Sequence, residues 1–152
     1  MTAAGLATLE EELRRLKYVE RHEVIKAIEV AREHGDLSEN AEYHAAREKQ
    51  SFIEGRVLEL ESVTSLVDVI DPTTLSGNVV RFGATIKLAD EDTNEKSIFQ
   101  IVGAYEADIE SGKLSVTSPT SRALIGKSIG DSVEVITPGG SKSYEIIKVE
   151  YK

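Results

Sequence analysis

The sequence predicts an α+β fold, an antiparallel α-helical coiled-coil hairpin over residues 1–70 followed by a small, mostly antiparallel sheet domain over 71–152. Three observations predict it. No proline occurs before Pro72, and apolar side chains recur at helical spacing from residue 6 to residue 67. Gly35 interrupts that pattern near its middle. After Asp71-Pro72 the period changes to two, in short β-branched runs separated by turn residues.

The first arm opens on Leu6, Leu9, Leu13 and Leu16, the narrow seam of a coiled coil, and continues through Ile25, Ile28 and Ala31. Leu6 to Glu33 is 28 residues, an arm of roughly 42 Å at ~1.5 Å per residue. Gly35 suits a left-handed helix end. Asp36 follows as the expected N-cap, with Glu39 at the third helical position in a D-x-x-E capping box. A link of about three residues forces the second arm back antiparallel. That arm is marked by Ala45, Ala46, Ile53, Val57, Leu60 and Val67. Glu and Arg between these stripes, as in Glu10–Arg14 and Glu11–Arg15, read as solvated faces. In the second domain, strands are expected at Val79–Leu88, Ser97–Val102, Lys113–Thr117, Ser132–Ile136 and Ser143–Val149, with a short helix at Pro119–Ile125.

Composition narrows the function. With 40% hydrophobic and 30% charged residues, the chain suits a soluble, folded protein, and no apolar run reaches the ~20 residues that span a bilayer. A cytoplasmic location and no membrane partner are expected, since no signal-peptide pattern occurs. There is no cysteine, which excludes disulfides, thiolate zinc sites and a cysteine nucleophile. The net charge of −9 divides as −6 over residues 1–70 and −3 over residues 71–152. Such a chain repels duplex nucleic acid over a broad face, though a local basic spot suits a single strand.

The stretch HGDLSENAEYHAAREKQ, residues 34–50, carries the chemistry. Asp36 and Glu39 have two compatible readings: caps for orphan backbone donors, or carboxylates displayed at the end of an arm. Two carboxylates are too few for a tight all-protein magnesium site, but they suit a shared Mg²⁺ that takes its other ligands from phosphates or a partner. His34 and His44 flank the tip; as metal ligands they compete with the simpler reading of solvated helix residues. Arg47, Lys49 and Arg56 form either part of the charged face or a small basic spot for a single-stranded backbone. Tyr43 either stacks on a base or covers the hairpin end. GNVVRFGA and TPGGSK fit turn chemistry and neither a P-loop nor a dinucleotide fingerprint.

The segment AREHGDLSENAEYHAAREKQSFIEGR closely resembles the tip of the bacterial Gre transcript cleavage factors, of the GreA type. The likeness continues through VIDP, VVRFGATIKL, EADI, SGKLSVTSP, ALIGK, GDSVEV, TPGG and YEIIKVEY, nearly the whole chain. The resemblance implies an FKBP-like second domain that binds the rim of the RNA polymerase secondary channel, with Ser118 and Pro119 in the contact. The hairpin then enters the channel. Asp36 and Glu39 help hold a Mg²⁺ shared with the polymerase active site, Leu37, Asn40 and Tyr43 support the tip, and Arg47 meets RNA. On the same resemblance a backtracked transcript would be cut near its 3′ end by the polymerase's own active centre, the protein not itself being an enzyme; a monomer is expected. The chain departs from the family at Thr120-Ser121, where an apolar residue and an alanine are usual, and at Ala104-Tyr105, where an acidic pair is usual. Two rival functions accompany this reading. One is a channel-binding inhibitor of the same fold, against which the intact GDLSENAEYH tip argues. The other is a prolyl isomerase or holdase, which needs an aromatic-lined pocket; aromatic residues are only 5% of the chain, the only phenylalanines of the second domain are Phe82 and Phe99, and there is no Trp.

Overall fold

A computed structural model describes residues 1–36 and 39–152. The chain divides into two compact units, Leu6–Val67 and a second made of Met1–Gly5 with Asp68–Lys152. Met1–Gly5, which the sequence places with the hairpin, thus belongs to the sheet unit.

The helical unit contains α1 (Ala3–Arg15), a π turn (Leu16–Glu20), α2 (Arg21–Arg32) and α3 (Ala41–Leu66). The π turn was not expected, and it resets the apolar stripe. Buried residues step by seven from Leu9 to Leu16 and again from Val24 to Ala31, but by eight from Leu16 to Val24. One extra residue in a wider turn absorbs the difference and keeps the stripe on one side. Val24 therefore takes the buried place expected of Ile25, which is 40% exposed. On α3 the stripe is Ala46, Ile53, Val57 and Leu60, with Ala45 exposed. Cross-helix ion pairs fix the pairing: Arg21 to Glu54 at 2.7 Å, Arg56 to Glu12 at 2.9 Å and Lys17 to Glu61 at 3.0 Å.

The sheet unit has five strands: β1 (Thr85–Asp90), β2 (Lys96–Val102), β3 (Lys113–Ser115), β4 (Ser132–Thr137) and β5 (Gly140–Glu150). Their order is β3-β2-β1-β5-β4, antiparallel except for the parallel β2–β3 pair. A short helix, α4 (Pro119–Leu124), lies between β3 and β4 in the chain. The strand expected from Val79 begins only at Thr85. Gly83 sits at φ +86 against the Pro72 ring, and Val80 N donates to Lys127 O at 2.8 Å, so this stretch bonds outside the ladder. On the inner face Ile86, Leu88, Ile101 and Ile146 are buried with Leu124 of α4, and Phe99 packs against them. The β1–β5 register shifts between Lys87 and Leu88, where Ile147 is the additional residue of a bulge. No described helix is long and apolar enough to cross a membrane.

Candidate functional site

The turn between α2 and α3 is wider than the sequence suggests. Glu33 N and His34 N donate back to Val30 O and Ala31 O at 3.2 Å, so the helix tightens as it ends. Gly35 follows at φ +103, a conformation that an L side chain rarely adopts. Asp36 and Glu39 lie in the turn outside any helix. The expected capping box is therefore corrected: α3 starts at Ala41, and its N-cap is Asn40, whose Oδ1 accepts from Tyr43 N at 3.1 Å. The same amide donates through Nδ2 to Ala31 O at 2.6 Å, tying the end of α2 to the start of α3. Asn competes with Asp as a cap on equal terms, and here the residue nearer the apolar run captures the role.

The two carboxylates share one setting. Asp36 and Glu39 both line an open depression with His34, Asn40, Ala41 and Glu42, and both are exposed. His34 Nε2 lies 3.6 Å from a Glu42 carboxylate oxygen across that depression. No group of three or more His, Asp or Glu side chains capable of holding a metal occurs among the described residues.

The remaining candidates fall in distinct places. Leu37 lies outside the described residues. Tyr43 packs at the hairpin end, with its ring 5.7 Å from that of His44 in an edge arrangement and the Arg32 guanidinium 6.0 Å above its centroid. Arg32 was not singled out from the sequence; its place one turn before Gly35 is the signal that locates it. Arg47 is exposed on α3, donates to Gln50 Oε1 at 3.0 Å, and lines a shallow depression with His44, Glu48 and Ser51. Lys49 sits at the rim of an apolar groove lined by Val24, Ala27, Ala45 and Ala46. Arg56 is committed elsewhere. It bridges Glu12 and Glu59, and the bond to Glu12 foremost raises its pKa, so it is not part of a free basic spot.

In the sheet unit Ser118 is the N-cap of α4, its Oγ accepting from Ser121 N at 3.1 Å, and Pro119 occupies the first helical position. Ser121 is fully buried, and its hydroxyl is satisfied by Ser118 Oγ at 3.0 Å. Tyr105 is exposed, and the neighbouring Glu106 is turned inward onto Thr2 and Gly103.

Residues 1–69 match the family model described as Transcription elongation factor, N-terminal, and residues 75–151 match that described as Transcription elongation factor, GreA/GreB, C-term. Among curated relatives, Transcription elongation factor GreA of Ruegeria pomeroyi is 67% identical over 99% of this chain and 96% of its own length. The proteins of the same description from Paracoccus denitrificans and Rhodospirillum rubrum are 63% and 62% identical over the same shares. A solved structure, the GreA factor homolog 1 of Thermus thermophilus, is 27% identical and covers 99% of this chain and 97% of that one, with a TM-score of 0.45.

Proposed function

The chain belongs to the GreA/GreB family of transcription elongation factors, and we propose that it acts through RNA polymerase by presenting Asp36 and Glu39 to the polymerase's active centre. The sheet unit attaches at the rim of the secondary channel, and the hairpin carries its tip inward. The factor works as a single chain in the cytoplasm and stimulates endonucleolytic cleavage of backtracked RNA, releasing short 3′ fragments so that elongation resumes. The catalytic centre is the polymerase's; this protein contributes ligands in trans.

One observation carries the reading: the helix cap belongs to Asn40, while Asp36 and Glu39 share an open depression in the turn. A Mg²⁺ held there would supply charge stabilisation and a readied water at the scissile phosphate. The chain's own part is to place two carboxylates, to fix the turn through Asn40 and Gly35, and to offer Arg47 on the adjoining face. On this reading the ion takes its other ligands from the polymerase and the RNA.

The test uses the full chain added to a stalled, backtracked elongation complex. The Asp36→Asn, Glu39→Gln double variant keeps side-chain size and leaves the Asn40 cap intact. Transcript cleavage should fall by at least about tenfold per lost ligand while polymerase binding persists, and added Mg²⁺ should partly restore the weaker single variant. Undiminished cleavage by the double variant sinks the mechanism.

A further inference from the structure

The open face of the sheet, opposite the core, carries a feature that the tip does not explain. Across the three central strands one row reads Ile98–Lys87–Lys148, from the β1–β2 and β1–β5 registers. The adjoining row reads Lys113–Gln100–Thr85–Glu150. Ile98 is 62% exposed, although its neighbours Phe99 and Ile101 turn to the core. Thr85, Lys87, Ile98, Lys148, Glu150 and Lys152 together line one shallow concavity.

Elementary electrostatics disfavours this arrangement in isolation. Lys87 stands directly opposite Lys148, and like charges in that position destabilise a sheet. Glu150 engages Lys148 and Lys152, and these pairs foremost lower its pKa, whereas Lys87 has no ion pair among the described residues. Solubility does not call for the cluster either. The sheet unit carries 9 basic against 13 acidic residues, and its acids could have been spread over this face. An exposed isoleucine framed by lysine stems is instead the anatomy of a small interface, with an apolar centre and a charged rim.

We propose that this face docks an acidic polypeptide segment in which carboxylates flank one aliphatic side chain. The aliphatic group covers Ile98 between the stems of Lys87 and Lys148, and the flanking carboxylates meet the ammonium groups of Lys87 and Lys113. The composition favours protein over nucleic acid. A single-strand site uses aromatic platforms and arginine. Here the only phenylalanine of β2 faces the core and every cation of the two rows is a lysine. Glu150 within the concavity, and Glu145 beyond it on β5, would repel a phosphate backbone while leaving room for a peptide that places its carboxylates only over the lysines. The proposal is independent of the tip mechanism.

The experiment is an amide-shift titration of the full-length ¹⁵N-labelled protein. The probes are an acetylated glutamate peptide with one central leucine, the same peptide with serine in place of leucine, and a single-stranded oligothymidylate. The leucine peptide should shift Lys87, Ile98, Lys148 and Glu150 together, more tightly than the serine peptide, and should weaken with salt. Lys87→Glu should weaken it by about tenfold, the effect of turning modest surface attractions into repulsion. That variant stays folded because the new carboxylate faces Lys148 across the strand pair. Ile98→Ser should abolish the difference between the two peptides. Tighter binding of the oligothymidylate to the same amides overturns the proposal in favour of nucleic acid. Shifts that grow with protein concentration alone overturn it in favour of a second copy of this chain. No response of this face to any probe overturns it outright.

Discussion

Asn40 holds both ends of the turn with one amide, accepting from Tyr43 N and donating to Ala31 O. Asn40→Ala removes both bonds and should cost about 1–2 kcal/mol of hairpin stability, read as a lower urea midpoint by helical circular dichroism. Asn40→Asp separates the two roles. Asp is as good a cap, but it sets an oxygen against Ala31 O where a donor was needed. The Asp variant should therefore also be destabilised, and a wild-type midpoint for it would leave the Ala31 tie without weight. Asp71 offers a second test at this scale. Its carboxylate caps the turn at Pro72–Thr74, and the Thr73 hydroxyl, then the Thr73 backbone, hold its pKa below the usual value. A lowered carboxyl pKa means that its contribution is complete above the unfolded value and fades as pH falls through the folded one. Thr73→Val should move the Asp71 titration back towards the ordinary carboxylate range, observed by carboxyl ¹³C shifts; an unmoved titration would contradict the assigned cause. Residue roles of this kind were only half legible in the sequence. Asp36 and Asn40 are both competent caps for α3, and the choice of Asn40 goes with its second bond to Ala31 O, which forms only after the chain has turned.

At the scale of elements, the π turn at Leu16–Glu20 makes a quantitative claim about phase. If its extra residue serves only to carry the stripe from Leu16 to Val24, removing one exposed residue within it should give a continuous α-helix with the seven-residue step restored. Deletion of Val19 should then leave the thermal midpoint of the hairpin within a few degrees, as expected for a change well under about 1 kcal/mol. Deletion of Lys26, outside the turn, should move Ile28 and Ala31 out of phase and lower the midpoint sharply. Equal damage from both deletions would show that the turn has no such role. The helices themselves were plain in the sequence because their stripes run for many residues without proline. The phase break was not, since Val24 and Ile25 are adjacent β-branched residues and only packing decides between them. In the sheet unit β2, β4 and α4 stand within a residue of their expected positions. Val79–Gly83 failed because its composition is strand-like, while its hydrogen bonds go to Lys127 and Ile101 across a left-handed glycine.

At the scale of the whole chain, the sheet unit is completed by residues from the far end of the sequence. Thr2 pairs with Ile70, Ile70 N donates to Met1 O at 2.8 Å, and Glu106 gathers Thr2 N at 3.0 Å, the Thr2 hydroxyl and Gly103 N at 2.7 Å. Nothing in MTAAG announces this, because five residues show no period and the contact spans more than a hundred positions. A fragment running from Asp68 to Lys152 therefore lacks part of its own structure: Glu106 loses donors and Ile70 loses an acceptor. Hydrogen bonds to a charged group contribute ~1.5–3 kcal/mol, so the fragment should unfold about 2 kcal/mol more easily than the same fragment with Met1–Gly5 restored through a flexible linker. Glu106→Gln in the linked form should remove much of that gain. Gly5→Ala should do the same by another route, since a Cβ there would stand 1.8 Å from Glu106 Oε1 and push the carboxylate off Thr2. The readout is urea unfolding with amide exchange at Thr2, Ile70 and Gly103, whose protection should fall together in both variants. Equal stability of the bare and linked fragments, or unaltered protection in Gly5→Ala, would reduce the N-terminal clasp to a passive contact and leave Asp68–Lys152 as a complete folding unit.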